Sequence, residues 1–210
     1  MSDSTTAFVG GVPEKYDRYM VPIFFDGYAE DLVARLPARS GLRVLELACG
    51  TGSVTRRLRG LRVLATDLNQ SMLDRAAAKL DGVEFRQADA TRLPFDDASF
   101  DAVLCQFGVM FFPDKMAAFR EAHRVLTPGG MFLFNVWDAL DRNELTKVAA
   151  DAIAGCFPNE PTDFYDTPFG FHDGDEIGRL LAAAGFRDAQ IETVAKPTGE
   201  TTAGDAAVAH

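Results

Sequence analysis

Val44–Thr55 reads VLELACGTGSVT. Val44, Leu45 and Leu47 form a short apolar run, which suits a strand buried on both faces. Glu46 interrupts it near the end, and Ala48, Cys49, Gly50, Thr51 and Gly52 follow as a small-residue turn. Glycine lets such a turn bring backbone close to a ligand, because no Cβ stands in the way. A helix is expected from Ser53 to Arg59, and its start would present unpaired N–H groups. Strand, tight turn and helix together predict a nucleotide-type site at the carboxyl edge of an open α/β sheet.

Working outward, strands and helices alternate. Strands are expected at Arg43–Leu47, Arg62–Ala65, Val83–Gln87, Ala102–Phe107, Met131–Val136 and Ala189–Ala195. Helices are expected at Pro22–Leu36, Asn69–Leu80, Asp114–Leu126, Asn143–Cys156 and Asp173–Ala184, with Asn69 as an N-cap and Gly185 as a stop. This alternation predicts βαβ units, a mostly parallel sheet and helices on both of its faces. Ala48–Gly52, Asp67, Asp89, Gln106 and Trp137-Asp138 then all fall at the ligand-binding ends of strands.

Composition narrows the function. The 210 residues suffice for one substantial domain, and 31 acidic against 21 basic residues give a net charge of −10. Such a surface repels a phosphate backbone, so no nucleic-acid partner is expected. Cys49, Cys105 and Cys156 are isolated and odd in number, which indicates reduced thiols in a cytoplasmic protein. No secretory leader, membrane span or metal-ligating motif is read.

Four blocks in order, with matching spacing, make the chain resemble the class I S-adenosylmethionine (AdoMet) dependent methyltransferases, in their small-molecule, ubiquinone-biosynthesis-like branch. ELACGTG at Glu46–Gly52 resembles the family's glycine-rich turn, with Ala48 where glycine is usual. ATDLNQSML at Ala65–Leu73, QADATRLPFDDASFDAV at Gln87–Val103 and HRVLTPGGMFLF at His123–Phe134 resemble the later motifs. The resemblance implies a doubly wound, Rossmann-like α/β sheet of order 3-2-1-4-5-6. The antiparallel seventh strand, which the family places between strands 5 and 6, is absent or truncated. The bare edge this leaves predicts reduced stability, or cover by a rearranged segment or by a second copy in a homodimer. The domain plan is a lid-like helical segment over 1–40, an AdoMet-binding domain over 41–197 with an acceptor-side insertion at 138–172, and a tail over 198–210.

The resemblance also implies AdoMet as methyl donor and S-adenosylhomocysteine as product. Asp67 then accepts hydrogen bonds from the two ribose hydroxyls, although an acid before Asn69 also suits helix capping. Asp89 takes the adenine amino group and Ala90 offers N–H to a ring nitrogen; Asp89 can equally just open its loop. Leu68 and Met72 pack on adenine and ribose, or Met72 is core. Gly50 and Gly52 pass the methionine part, Glu46 orients the turn, and backbone carbonyls at Gln106 and Phe107 bind the amino group. Phe107 is either pocket wall or core. Tyr16 and Tyr19 belong to a lid, or are surface aromatics.

Methyl transfer is an in-line displacement, so alignment supplies most of the catalysis. A general base is needed only for a poorly ionised acceptor. His172 is the candidate, against the simpler reading that it neighbours the helix cap Asp173. Phe24, Phe25, Phe111, Phe112, Trp137, Phe157, Phe164, Tyr165, Phe169 and Phe171 lie in the variable parts and predict an apolar or aromatic small-molecule acceptor. Two alternatives remain open. An NAD-dependent oxidoreductase agrees with Gly50-x-Gly52 and Asp67, but GTGSVT lacks the third glycine of the dinucleotide fingerprint. A non-catalytic AdoMet-binding protein agrees with the short C-terminal region.

Overall fold

Val44, Leu45 and Leu47 are buried because the strand they belong to lies in the middle of the sheet. The computed structural model describes residues 12–157 and 163–197. Expectations for 1–11, 158–162 and the tail over 198–210 lie outside the described residues. Five strands, β1 (Arg43–Glu46), β2 (Arg62–Asp67), β3 (Glu84–Gln87), β4 (Phe100–Gln106) and β5 (Leu126–Asn135), form one parallel sheet of order β3-β2-β1-β4-β5. Among the described residues seven α-helical stretches accompany it: α1 (Val12–Lys15), α2 (Asp26–Ala34), α3 (Gln70–Ala77), α4 (Lys115–Val125), α5 (Glu144–Cys156), α6 (Asp166–Phe169) and α7 (Gly174–Ala183). None of the described helices is long and apolar enough to cross a membrane.

Strand alternation builds a core on each face. Val44 and Leu104 turn to one side and pack with Ala29 and Leu32 of α2. Leu45, Val103 and Cys105 turn to the other and pack with Phe119 of α4 and Ile177 and Leu181 of α7. Each such aliphatic side chain contributes roughly 1.5–3 kcal/mol by leaving water. The register carries Glu46 opposite Ala65 and Leu104, so the ends of β1, β2 and β4 come level.

Three expectations need correction. The helix expected at Ser53–Arg59 is only a 3-10 turn, Thr55–Arg57. Ser53, Val54 and Thr55 are poor helix formers, and the flanking Gly52 and Gly60 both have positive φ. Pro22 does not open a helix; it lies inside a π-helix, Tyr16–Phe25, which runs on into α2. The sixth strand expected at Ala189–Ala195 does not form: 189–197 pairs with no strand. Its reason is topological. A strand needs a neighbour's backbone, and no strand lies beside the outer edge of β5 among the described residues.

That edge borders a trough of about 960 Å³, whose far wall is the stretch from Arg187 to Pro197. Ion pairs from Arg35 to Glu192 and from Lys196 to Asp31 tie this wall to α2. The carbonyl of Asn135 faces β4, where it accepts the Phe107 N–H at 3.2 Å. By the two-residue alternation, Phe132 and Phe134 turn their backbone groups outward to the trough.

Candidate active site

The turn after β1 is built by backbone crossing between strand ends. The Cys49 N–H donates to the Thr66 carbonyl at 2.9 Å, and the Thr66 hydroxyl donates to the Glu46 carbonyl at 2.8 Å. Ala48, Gly50 and Gly52 all take positive φ, at 51°, 54° and 86°. Gly52 also lacks room for a side chain, since a Cβ there would lie 2.7 Å from Leu80 Cδ1. Ala48 carries its methyl in a left-handed conformation that costs an L-residue about 1–2 kcal/mol. Gly108 makes space for it: a Cβ at 108 would stand 2.5 Å from Ala48 Cβ and 2.7 Å from Cys105 Sγ.

Asp67 closes the turn from the end of β2. Its Oδ2 accepts the Gly50 N–H and its Oδ1 the Asn69 N–H, each at 2.8 Å. Burial raises its pKa, against the pull of those N–H groups. Glu46 is fully buried, and the Thr55 hydroxyl donates to its Oε2 at 2.6 Å. Burial, helped by the charge of Asp67, pushes its carboxyl up to about 8 despite that hydrogen bond. At neutral pH it is therefore mostly protonated, a neutral group beneath the turn.

Tyr16 reaches the same place from the π-helix. It stacks on Phe25 at 5.3 Å, and burial, with the charges of Asp67 and Asp17, pushes its hydroxyl pKa up. Asp17 beside it was not read as a site residue. The Thr51 hydroxyl donates to its Oδ1 at 2.9 Å, and Arg75 of α3 and Lys79 just after it pair with it. Burial works to raise the Asp17 pKa, but the Lys79 and Thr51 hydrogen bonds outweigh it and hold the group below its usual value. The sequence leaves this run open between lid and surface, and only the fold reveals the bases Arg75 and Lys79 opposite Asp17. Tyr19 is half-buried, with the Arg18 guanidinium over its ring.

The remaining expected residues divide. Gln106 ends β4 and donates from Nε2 to the Phe25 carbonyl at 2.9 Å, while its Oε1 is buried without a partner among the described residues. Ala90 is buried, and Met72 is buried on α3. Leu68 is exposed. Asp89 is exposed too, and its Oδ1 is engaged by the Thr91 N–H and hydroxyl at 2.8 and 2.7 Å, the loop-opening arrangement. His172 is exposed at the trough, one residue before the α7 cap Asp173. It does not contact the turn cluster directly in any hydrogen bond among the described residues.

Aromatic side chains close the carboxyl ends of β4 and β5. The Phe107 and Trp137 rings stack at 4.0 Å with planes 13° apart, and Tyr28 meets both edge-on at 5.3 and 5.6 Å. Phe107, Trp137, Tyr28 and Phe24 also line the trough. Phe25 and Phe169 pack around this group, whereas Phe111, Phe157 and Phe164 stay exposed and contribute nothing to it.

Strand-end turn, buried acid at the end of β2 and parallel sheet define an open α/β fold with its candidate site at the carboxyl edge, and comparison with known proteins makes that specific. Residues 45–134 match the model of a methyltransferase domain. A demethylmenaquinone methyltransferase of Staphylococcus aureus is 34% identical over 208 residues, covering 87% of this chain and 84% of the relative. Its counterpart in Deinococcus radiodurans is 31% identical over 183 residues, covering 77% and 74%. Among solved structures, a Haloferax volcanii methyltransferase in complex with the Trm112 methyltransferase activator aligns with a TM-score of 0.67 and 25% identity, over 90% of this chain and 79% of that one. The chain belongs to the class I AdoMet-dependent methyltransferases of the ubiquinone- and menaquinone-biosynthesis type. It is an enzyme that methylates a small molecule, and the oxidoreductase and non-catalytic alternatives are set aside.

Proposed function

We propose that the chain methylates a planar, quinone-type or related aromatic ring that docks against Phe107 and Trp137. The observation that carries this reading is the face-to-face pair itself, placed where β4 and β5 end and open to the trough. Offset and stacked rings gain about 0.5–1.5 kcal/mol beyond their burial, so a flat acceptor can exchange for one partner of the pair. The names of the Staphylococcus aureus and Deinococcus radiodurans relatives, as demethylmenaquinone methyltransferases, support a ring of this class.

The residues present suit AdoMet. Gly50, around whose missing Cβ nothing stands within 4 Å, leaves the backbone open to the methionine part, and Gly52 lets the turn close on Leu80. Asp67, already positioned by two N–H groups, keeps lone pairs for the ribose hydroxyls. The orphan Gln106 Oε1 is a buried acceptor of the kind a cationic ammonium satisfies. Ala90 and Leu68 would flank the adenine, and Asp89 retains one carboxylate oxygen for its amino group. When bound, AdoMet supplies an already electrophilic methyl. The protein's own work is then alignment: Asp67 and Gln106 hold the donor, Tyr16 and Tyr19 cover it, and the Phe107 and Trp137 wall orients the acceptor for in-line attack. His172, at the trough, takes the proton from an un-ionised acceptor hydroxyl.

Incubation with methyl-labelled AdoMet and a panel of quinols, phenols and aliphatic amines, followed by mass spectrometry, tests the proposal. Label is expected on the aromatic members. Transfer confined to the amines would refute it.

A further inference from the structure

Phe107 combines two features that do not ordinarily coexist. It is a bulky side chain at φ +49°, and its ring is stacked in register on Trp137 at 4.0 Å. A non-glycine residue in the left-handed region costs about 1–3 kcal/mol and persists only where its surroundings enforce it. The Phe107 ring is packed by Phe25, Tyr28 and Trp137, and its backbone is held from one residue. Its N–H is shared between two oxygens of Asn135, the carbonyl at 3.2 Å and the side-chain Oδ1 at 3.0 Å.

Any residue at the end of β5 would supply the carbonyl. Only a side chain whose γ carbon bears an oxygen, as in Asn or Asp, supplies the second acceptor. The register sets Asn135 directly opposite Gln106, so its amide lies beside the first peptide after β4. Asn135 itself is half-buried at the trough, between Phe134 and Val136 in the chain. With the N–H drawn back toward β5, the chain turns left-handed at 107 and leaves the line of β4. The Phe107 ring is thereby delivered to Trp137 and to the edge of Tyr28.

We propose that Asn135 is a positioning residue for the methyl acceptor: its side-chain oxygen locks Phe107 in the left-handed turn and so fixes the aromatic wall against which the acceptor ring docks. The acceptor half of this statement rests on the function proposed above, whereas the link from Asn135 to Phe107 does not. The two can be separated because Trp137 is the single tryptophan of the chain, so its fluorescence reports the stack with no acceptor present.

The test compares wild type with Asn135→Leu, which removes the oxygen at similar volume, and Asn135→Asp, which restores one. Trp137 emission is recorded for the protein alone. Affinities for AdoMet and for 1,4-naphthohydroquinone, the acceptor probe, are measured by calorimetry, with circular dichroism to establish folding. Asn135→Leu is expected to shift or brighten Trp137 emission and to weaken naphthohydroquinone binding about tenfold, with AdoMet affinity changed less than about threefold. Asn135→Asp is expected to recover both signals. Unchanged emission in folded Asn135→Leu overturns the link between Asn135 and the wall. Altered emission with unchanged naphthohydroquinone affinity, or no binding of that probe by wild type, overturns the role in acceptor docking. If Asn135→Leu fails to fold, Asn135→Ala, which lacks the oxygen, is compared with Asn135→Asp, which keeps it, and emission that does not follow the presence of the oxygen contradicts the proposal.

Discussion

The methyl of Ala48 lies against the bare Cα of Gly108, so the turn after β1 and the turn after β4 interlock through one side chain and the lack of another. The methyl that Ala48 adds to the glycine-rich turn is accommodated from a different loop. Gly108→Ala should destabilise the fold by about 1–3 kcal/mol, as overpacking does. Ala48→Gly should be neutral or stabilising by up to roughly 1 kcal/mol, because it relieves a left-handed alanine. Urea unfolding of both variants checks this. Equal stability of Gly108→Ala and wild type would disprove the interlock.

Glu46 makes stability depend on pH. Its carboxyl is raised from the ordinary 4.5 to about 8 by burial, so the folded state holds the proton more tightly than the unfolded chain. Its contribution is complete below about 4.5, declines as pH rises, and is lost above about 8. Glu46→Gln keeps an acceptor for the Thr55 hydroxyl and cannot ionise. Its stability should vary less between pH 5 and 8, and at pH 8.5 it should exceed wild type. Parallel slopes for the two proteins would contradict the buried, protonated state.

Asp17 joins the π-helix to Thr51, Arg75 and Lys79, which makes it a latch for the segment carrying Tyr16. Asp17→Ala should accelerate AdoMet dissociation about fivefold, the worth of roughly 1 kcal/mol from partly exposed ion pairs. Stopped-flow release at low and high salt reads the effect. Wild type should approach the variant as salt rises. A release rate indifferent to both changes would remove the latch.

The stretch over 189–197 faces β5 without pairing to it. Its amides should exchange with solvent far faster than those of β4, by several orders of magnitude, because no ladder protects them. Hydrogen exchange with mass spectrometry distinguishes this from a covered edge. Slow exchange across 189–197 at high protein concentration, lost on dilution, would mean that a second copy fills the trough.

What the sequence made legible follows from how local each signal is. Val44–Leu47 and Ala102–Cys105 are apolar runs whose burial needs no partner information, so the sheet and its carboxyl edge were readable. Asp67 was readable for the same reason, as the acid at a strand end. The strand expected at 189–195 failed because a strand is a property of two chains of backbone, and the pattern QIETVA describes only one. The accommodation of Ala48 depends on Gly108, and the role of Asp17 on Arg75 and Lys79; these partners are distant along the chain and joined only by the fold. Asp89 reads the same in sequence whether it serves a ligand or its own turn, and the structure gives one of its oxygens to Thr91.

The account centres on AdoMet held over the turn by Asp67, and calorimetric titration of wild type and Asp67→Ala with AdoMet tests it most directly. Wild type should bind one equivalent. Asp67→Ala, shown to be folded, should bind about 10- to 100-fold more weakly, the loss of a charged acceptor for two hydroxyls. Undiminished affinity in the variant, or no AdoMet binding by folded wild type, would contradict it.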